Sequence, residues 1–195
     1  MISHKIFKKI KKDHKNYASW AIWAKERKEG KPTDNMGDLS IFDDKNITKH
    51  LKQLNPNIIL VGLNISKEIR EPLSNFHGSN GGAYKIRYAF RDSPYWGAYM
   101  TDILKGYVQP KAMKMMKHLK TEEGKILEKD NVEKFIVEIK DLGVKNPTII
   151  AFGNDAHTIL NRNIALKYKT IRLPHYSSRT NKEEYRSQVR SVLGF

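Results

Sequence analysis

The chain predicts an α/β fold: a three-layer α/β/α sandwich around a central, largely parallel four-stranded sheet. Three observations carry this. Ile58-Ile59-Leu60-Val61 and Pro147–Phe152 (PTIIAF) are short apolar runs rich in β-branched residues, as in strands buried on both faces. Gly97–Asp102 and Tyr168–Leu173 read as two further strands. Helical patterns lie between these runs, and strands alternating with helices build βαβ units. A length of 195 residues suggests a single domain, 1–195, on which residues 1–54 pack as a helical, basic N-terminal extension.

Taken in order, residues 3–15 predict a helix capped by Ser3. Ile6, Phe7 and Ile10 form its narrow apolar stripe among Lys5, Lys8, Lys9, Lys11, Lys12 and Lys15. Tyr17, Trp20, Ile22 and Trp23 continue the apolar surface as core anchors. Residues 28–37 (KEGKPTDNMG) form a polar loop, Leu39–Phe42 a short strand or turn, and 46–54 a short helix. Asn55-Pro56 marks a loop before the first core strand. Gly62 ends that strand, and Asn64 stands at its carboxyl end, where open α/β sheets place ligands.

Residues 67–87 are punctuated by Glu71-Pro72, His77-Gly78 and Gly81-Gly82 and contain Phe76. Long irregular segments of this kind are usually functional or mobile. Lys85–Asp92 predicts a helix that Ser93-Pro94 breaks. After the strand ending at Asp102, residues 111–120 carry Met113, Met115 and Met116 as packing material. Val132–Leu142 predicts a helix with Phe135, Ile136 and Ile139 on one face, Asn131 as N-cap and Gly143 at its end. Asn154-Asp155 is expected to cap a helix running through Leu160. The loop Pro174–Ser178 follows the fourth strand. Asn181 and Glu184 have capping-box spacing for a last helix whose Val189, Val192 and Leu193 face the core.

Lys and Arg number 36 against 21 Asp and Glu, a net charge of +15. Nucleic acid is the leading anionic partner for such a surplus; the alternative is a basic coat on solvated faces. The chain has no cysteine, which excludes disulfides, thiolate zinc sites and cysteine-ligated iron–sulfur clusters. There is no P-loop, no HExxH and no ligand spacing among the histidines, so neither a metal nor a cofactor is expected. No stretch is long and apolar enough to span a bilayer, and the basic N-terminus lacks the apolar core of a secretory signal. A monomer in the cytoplasm is the expectation.

The four strand ends supply Asn64, Asp102, Asn154 with Asp155, and His175 with Ser177. Converging at one sheet edge, they would place an amide, a carboxylate and an imidazole in one site. Each residue also has a structural reading, Asn154 and Asp155 most of all as helix caps.

At these residues the chain resembles the uracil-DNA glycosylase superfamily. Val61-Gly62-Leu63-Asn64-Ile65-Ser66 is similar to the GxNPx loop of the mismatch-specific and single-strand-selective branches. The resemblance implies that Asn64 positions the attacking water and that Gly62 and Leu63 border the substrate. Ile65 stands where the proline is usual. Ala151-Phe152-Gly153-Asn154-Asp155-Ala156 resembles the family's xLGxxA turn. Leu173-Pro174-His175-Tyr176-Ser177-Ser178 takes the place of the HPSPxS loop, whose histidine donates to the uracil O2 and whose remainder enters DNA. Aligning the prolines would put Leu173 at the histidine position; taking His175 as the imidazole puts the proline before it. His175 is preferred, because a leucine cannot stabilise a leaving base anion. Tyr99–Asp102 matches a strand whose end in some branches reaches the base pocket, and Phe76 resembles the aromatic on which the flipped base stacks. The match spans about residues 55–195.

The resemblance implies a monofunctional glycosylase that removes uracil or another modified pyrimidine from single- or double-stranded DNA. Such an enzyme extrudes the nucleotide, which costs a few kcal/mol. An aromatic face, Phe76 or Tyr84, would hold the base, and Asn154 or Asp102 would recognise its edge. His175 would donate to the departing base, and Asn64 would orient the water. Because Asn is no strong base, the expected mechanism is dissociative. A non-catalytic nucleic-acid-binding protein and a nucleoside or nucleotide hydrolase are the alternatives.

Overall fold

Among the described residues the sheet has five strands: β1 (Ser19–Trp20), β2 (Asn55–Asn64), β3 (Ala98–Leu104), β4 (Thr148–Phe152) and β5 (Thr170–Leu173), in the order β1-β3-β2-β4-β5. This computed structural model describes residues 2–26, 30–79 and 81–195. Lys28 and Glu29 of the expected 28–37 loop, and Asn80 of the irregular 67–87 segment, lie outside the described residues.

The four expected strands are present and mutually parallel. The sheet is five-stranded rather than four-stranded because β1 adds an antiparallel edge pair on β3. At two residues it is too short to show any alternation. Asn55-Pro56 belongs to β2 rather than to a loop. Asn55 pairs with Ala98, and the register shifts before Ile59; proline is tolerated at such irregularities.

Among the described residues, seven helices complete the layers: α1 (His4–Asp13), α2 (Asp44–His50), α3 (Ala83–Phe90), α4 (Ala112–His118), α5 (Glu122–Asp141), α6 (Asn154–Ile164) and α7 (Lys182–Leu193). Side chains alternate across a strand. Ile59, Val61, Tyr99, Ile103, Ile149 and Ala151 therefore meet α1, α5 and α6 through Phe7, Ile10, Phe135, Ile139 and Ile159. Leu60, Met100, Ile150, Phe152 and Leu173 meet α3 and α7 through Ile86, Phe90, Tyr185 and Val189. By the same alternation Gly62, Asn64 and Asp102 belong to the α3/α7 face. This is a three-layer α/β/α sandwich, and among the described residues no helix is long and apolar enough to cross a membrane.

Two expected caps hold. The Ser3 hydroxyl accepts from Ile6 N at 3.2 Å, and Asn181 and Glu184 form a capping box on α7. Two do not. Helix α5 starts ten residues earlier than the Asn131 cap implies, with Thr121 accepting from Gly124 N. In its first half Ile126 is exposed and the buried positions are Gly124 and Glu128, so no apolar stripe marks it in the sequence. Asn131 is instead buried mid-helix, where its Oδ1 accepts from Lys105 N at 2.6 Å. Likewise Gly153, at φ +88°, caps α6, leaving Asn154 and Asp155 in its first turn. Residues 39–42 contain a 3-10 turn, Ser40–Phe42, and the 46–54 helix is α2 followed by a 3-10 turn over Leu51–Gln53. Met115 packs in the core as expected, whereas Met113 and Val192 are exposed.

Candidate functional site

The winding of the sheet reverses at β2, which has β3 on one side and β4 on the other. Such a reversal leaves a crevice at the carboxyl ends of the strands. A cleft of about 1150 Å³ opens there. Its walls include Leu63, Asn64, Phe76, Asp102, Asn154, His175 and Ser177, so seven of the eight sequence-selected residues share one cleft. The eighth, Gly62, underlies the floor. A Cβ on it would fall 2.2 Å from Asp102 Oδ1 and 3.2 Å from Phe76 Cζ. Tyr84, the other aromatic considered, packs against the α3/α7 core instead.

Asn64 spends its amide nitrogen on the neighbouring loop. Nδ2 donates to the carbonyls of Ile65 (2.9 Å), Tyr107 (3.2 Å) and Gln109 (2.9 Å). Among the described residues this leaves Oδ1 as its uncommitted polar atom, an acceptor with a fixed direction. An amide held this way can orient a water but cannot take its proton.

Asp102 is 3% exposed. Asn75 Nδ2 donates to its Oδ2 at 2.8 Å and also to Tyr17 O at 2.8 Å. Burial pushes the carboxyl up to about 7, against the opposing pull of the Asn75 hydrogen bond and the Lys105 charge; Glu138 adds to the rise. Burial thus favours its neutral form far more than in an exposed aspartate. Beneath it Lys105 Nζ donates to Asp102 O at 2.7 Å and pairs with buried Glu138, which also accepts from Tyr99 Oη at 2.7 Å.

Asn75 fixes the next residue too, its Oδ1 accepting from Phe76 N at 3.1 Å. Phe76 is held at φ +63°, as is Leu73. Left-handed backbone is costly for bulky residues and persists only where surrounding contacts over-determine it. Here it turns the Phe76 ring against Phe152 (6.2 Å between centroids) and Tyr176 (6.1 Å), with Phe152 and Tyr176 edge-to-face at 5.3 Å. The cleft therefore has an aromatic floor with one carboxyl set in it.

His175 stacks on Tyr176 at 4.4 Å, over Gly153. Its Nδ1 lies 2.7 Å from Ser177 Oγ and accepts from Ser177 N at 3.2 Å. A backbone N–H can only donate, so Nδ1 carries the lone pair and the neutral ring bears its proton on Nε2. Burial lowers the His175 pKa, opposed by the Asp155 charge, which favours that neutral form. The loop is anchored from α3. Buried Lys85 donates to Ser178 O and Thr180 O at 2.7 Å each, and Gly82 permits close approach, since a Cβ there would meet Tyr176 O at 2.3 Å.

Asn154 is exposed at the rim, where its Oδ1 accepts from Arg172. The walls mix Lys67 and Arg70 with Glu68, Glu71 and Asp155. Lys111 lies between the wall residues Pro110 and Ala112 in the chain, and Lys114 and Lys117 follow on α4. Among the described residues no group of three or more His, Asp or Glu is arranged to hold a metal ion.

Sequence reasoning missed Asn75, Lys85, Phe152 and Tyr176. Phe152 and Tyr176 had a usable signal, lying beside residues already selected. Asn75 and Lys85 had none, since their partners are far away in the chain. Compared with known proteins, the chain matches no family model, no curated sequence and no solved structure.

Proposed function

We propose that this cleft hydrolyses the N-glycosidic bond of uracil or another modified pyrimidine flipped out of DNA, as a monofunctional glycosylase similar to the uracil-DNA glycosylase superfamily. The observation that carries the reading is the pairing, in one aromatic-floored cleft, of a neutral His175 with its proton on Nε2 and an Asn64 whose Oδ1 alone is uncommitted. A planar base fits against the Phe76 ring, and stacking of this kind is worth about 1–3 kcal/mol per base.

Bond cleavage sends the glycosidic electron pair onto the base, whose charge spreads to its carbonyl oxygens. The His175 Nε2–H donates to such an oxygen and stabilises the anion as it forms; one preorganised donor of this type is worth about 10²–10³ in rate. Water held by Asn64 Oδ1 adds to the sugar carbon, and its proton passes to the departing base through solvent. The surplus of cations serves the phosphates, on single or double strands. The enzyme works as a cytoplasmic monomer without metal or cofactor.

The test is incubation of the purified protein with uracil-containing single- and double-stranded oligonucleotides, followed by alkali to reveal abasic sites. Abasic product that disappears in Asn64→Ala and His175→Ala supports the proposal. Failure to release uracil or any deaminated or modified base overturns it. The acidic residues Glu68, Glu71 and Asp155 on the walls favour a second reading, hydrolysis of free nucleosides, and turnover of nucleosides that DNA does not inhibit would establish that instead.

A further inference from the structure

The cations of this chain are not spread evenly over its helices. On α5, Lys125, Lys129, Lys134 and Lys140 are interleaved with Glu122, Glu123, Asp130, Glu133 and other acids. Helix α1 carries Lys5, Lys8, Lys9, Lys11 and Lys12 with a single acid, Asp13. Asp13 is taken by Lys9 at 2.8 Å, and Lys11 turns to Phe42 O at 2.9 Å. Lys5, Lys8 and Lys12, with Lys15 just beyond the helix, are exposed and make no ion pair among the described residues. A basic coat that served only solvation would be mixed with acids, as α5 is.

These lysines share one face. At 3.6 residues per turn, Lys5, Lys8 and Lys12 fall within about 60° of arc and span about 10 Å of axis. Like charges at such spacing repel one another, and an anion laid along them removes the repulsion. The opposite face, Phe7 and Ile10, is buried in the core. A helix that binds lipid must bury its apolar face in the membrane, and on α1 that face is already committed. The end of the lysine row meets the cleft. Leu73 N donates to Lys15 O at 3.0 Å, Ser19 Oγ donates to Leu73 O at 2.7 Å, and Leu73 lies in the chain between wall residues Glu71 and Ser74.

We propose that the Lys5, Lys8, Lys12 and Lys15 face of α1 is a track for the sugar–phosphate backbone of the nucleic acid that flanks the nucleotide held in the cleft. The inference rests on the nucleic-acid reading given above. One strand presents a phosphate about every 3.4 Å of axis, so the lysine face covers about three of them. Contacts to phosphate fix position and carry no sequence information. The face therefore supplies affinity and placement, and takes no part in bond cleavage.

The experiment measures binding of the full chain, across a salt series, to an unmodified DNA strand of about 20 nucleotides and to its duplex, long enough to reach from the cleft along α1. The triple variant Lys5→Gln, Lys8→Gln, Lys12→Gln is compared with Lys125→Gln, Lys129→Gln, Lys134→Gln, which removes the same charge from exposed positions of α5. Gln is as good a helix former as Lys. The α1 variant is expected to bind about ten-fold or more weakly, and its slope of log affinity against log salt to fall by about 2–3. The α5 variant is expected to stay within about two-fold of the parent, and Arg at the three α1 positions to keep the parent's affinity. Equal losses in the two Gln variants, an unchanged salt slope in the α1 variant, or tighter binding to phosphatidylserine vesicles than to either DNA would overturn the inference. Unmodified DNA offers no base to release, so the two readings fail separately. Binding that depends on α1 in a protein that releases no base counts against hydrolysis alone; base release with binding indifferent to α1 counts against the track alone.

Discussion

Gly62 and Asp102 lie side by side on neighbouring parallel strands, so close that a Cβ on the first would fall 2.2 Å from Oδ1 of the second. Asp102 cannot easily turn aside, since Asn75 holds its other oxygen at 2.8 Å. Gly62→Ala is therefore expected to lower stability by about 1–3 kcal/mol, the usual cost of overpacking. It should displace the carboxyl or the Phe76 ring and depress base release more than it depresses DNA binding. Thermal unfolding and single-turnover kinetics check this. A variant as stable and active as its parent would show that the floor is looser than its geometry.

Asp102 also makes stability depend on pH. Its folded pKa of about 7 lies above the ordinary 3.8. Between about pH 4 and 7 the native state holds a proton that the unfolded chain has released, so native stability falls as pH rises through that window and then levels. Asp102→Asn keeps an acceptor for Asn75 and loses this dependence. Its stability relative to the parent is expected to climb from about pH 4 to about pH 7, by on the order of a few kcal/mol, and to stay level above. Urea titrations at several pH values measure it, and parallel curves for the two proteins would refute it.

The backbone N–H of Ser177 on Nδ1 predicts one tautomer for His175. In ¹⁵N spectra near neutral pH the ring should show a protonated Nε2 and an unprotonated Nδ1, with its titration below the ordinary 6.5. His175→Ala is expected to reduce base release by about 10²–10³. An imidazolium signal persisting at neutral pH would contradict the assignment.

Lys85 predicts how the His175 loop is held. Its two bonds to Ser178 O and Thr180 O are made by a buried charge, and bonds to charged groups are worth about 1.5–3 kcal/mol each. Lys85→Met should leave the sheet intact, speed amide exchange at Ser178, whose N–H bonds His175 O at 2.9 Å, and slow base release. Unchanged exchange would mean that the loop holds itself.

How far the sequence anticipates this geometry depends on the range of the forces involved. Strands β2 and β4 were legible because a parallel strand covered on both faces must be apolar throughout. The α7 cap was legible because its two partners are three residues apart. The convergence of Asn64, Asp102 and His175 followed from placing polar residues at strand ends, which the winding brings to one edge. What stayed hidden was long-range. Asn75 reaches Asp102 across 27 residues and Lys85 reaches Thr180 across 95, and no local pattern marks either. Asn131 looked like a cap because its type favours caps; its actual partner, Lys105 N, follows the end of β3, 26 residues away. The left-handed Phe76 is a tertiary effect that no propensity foretells.

The cleft takes its walls from several separate stretches, the last of them His175–Ser177. A ribosome delivers these in order, and most of the scaffold, β1 through β4, exists before the imidazole does. A growing chain can therefore collapse around its sheet while remaining chemically silent. The proposed chemistry would be complete only in one late step, when the segment beyond β5 emerges and Lys85 on α3 binds its carbonyls.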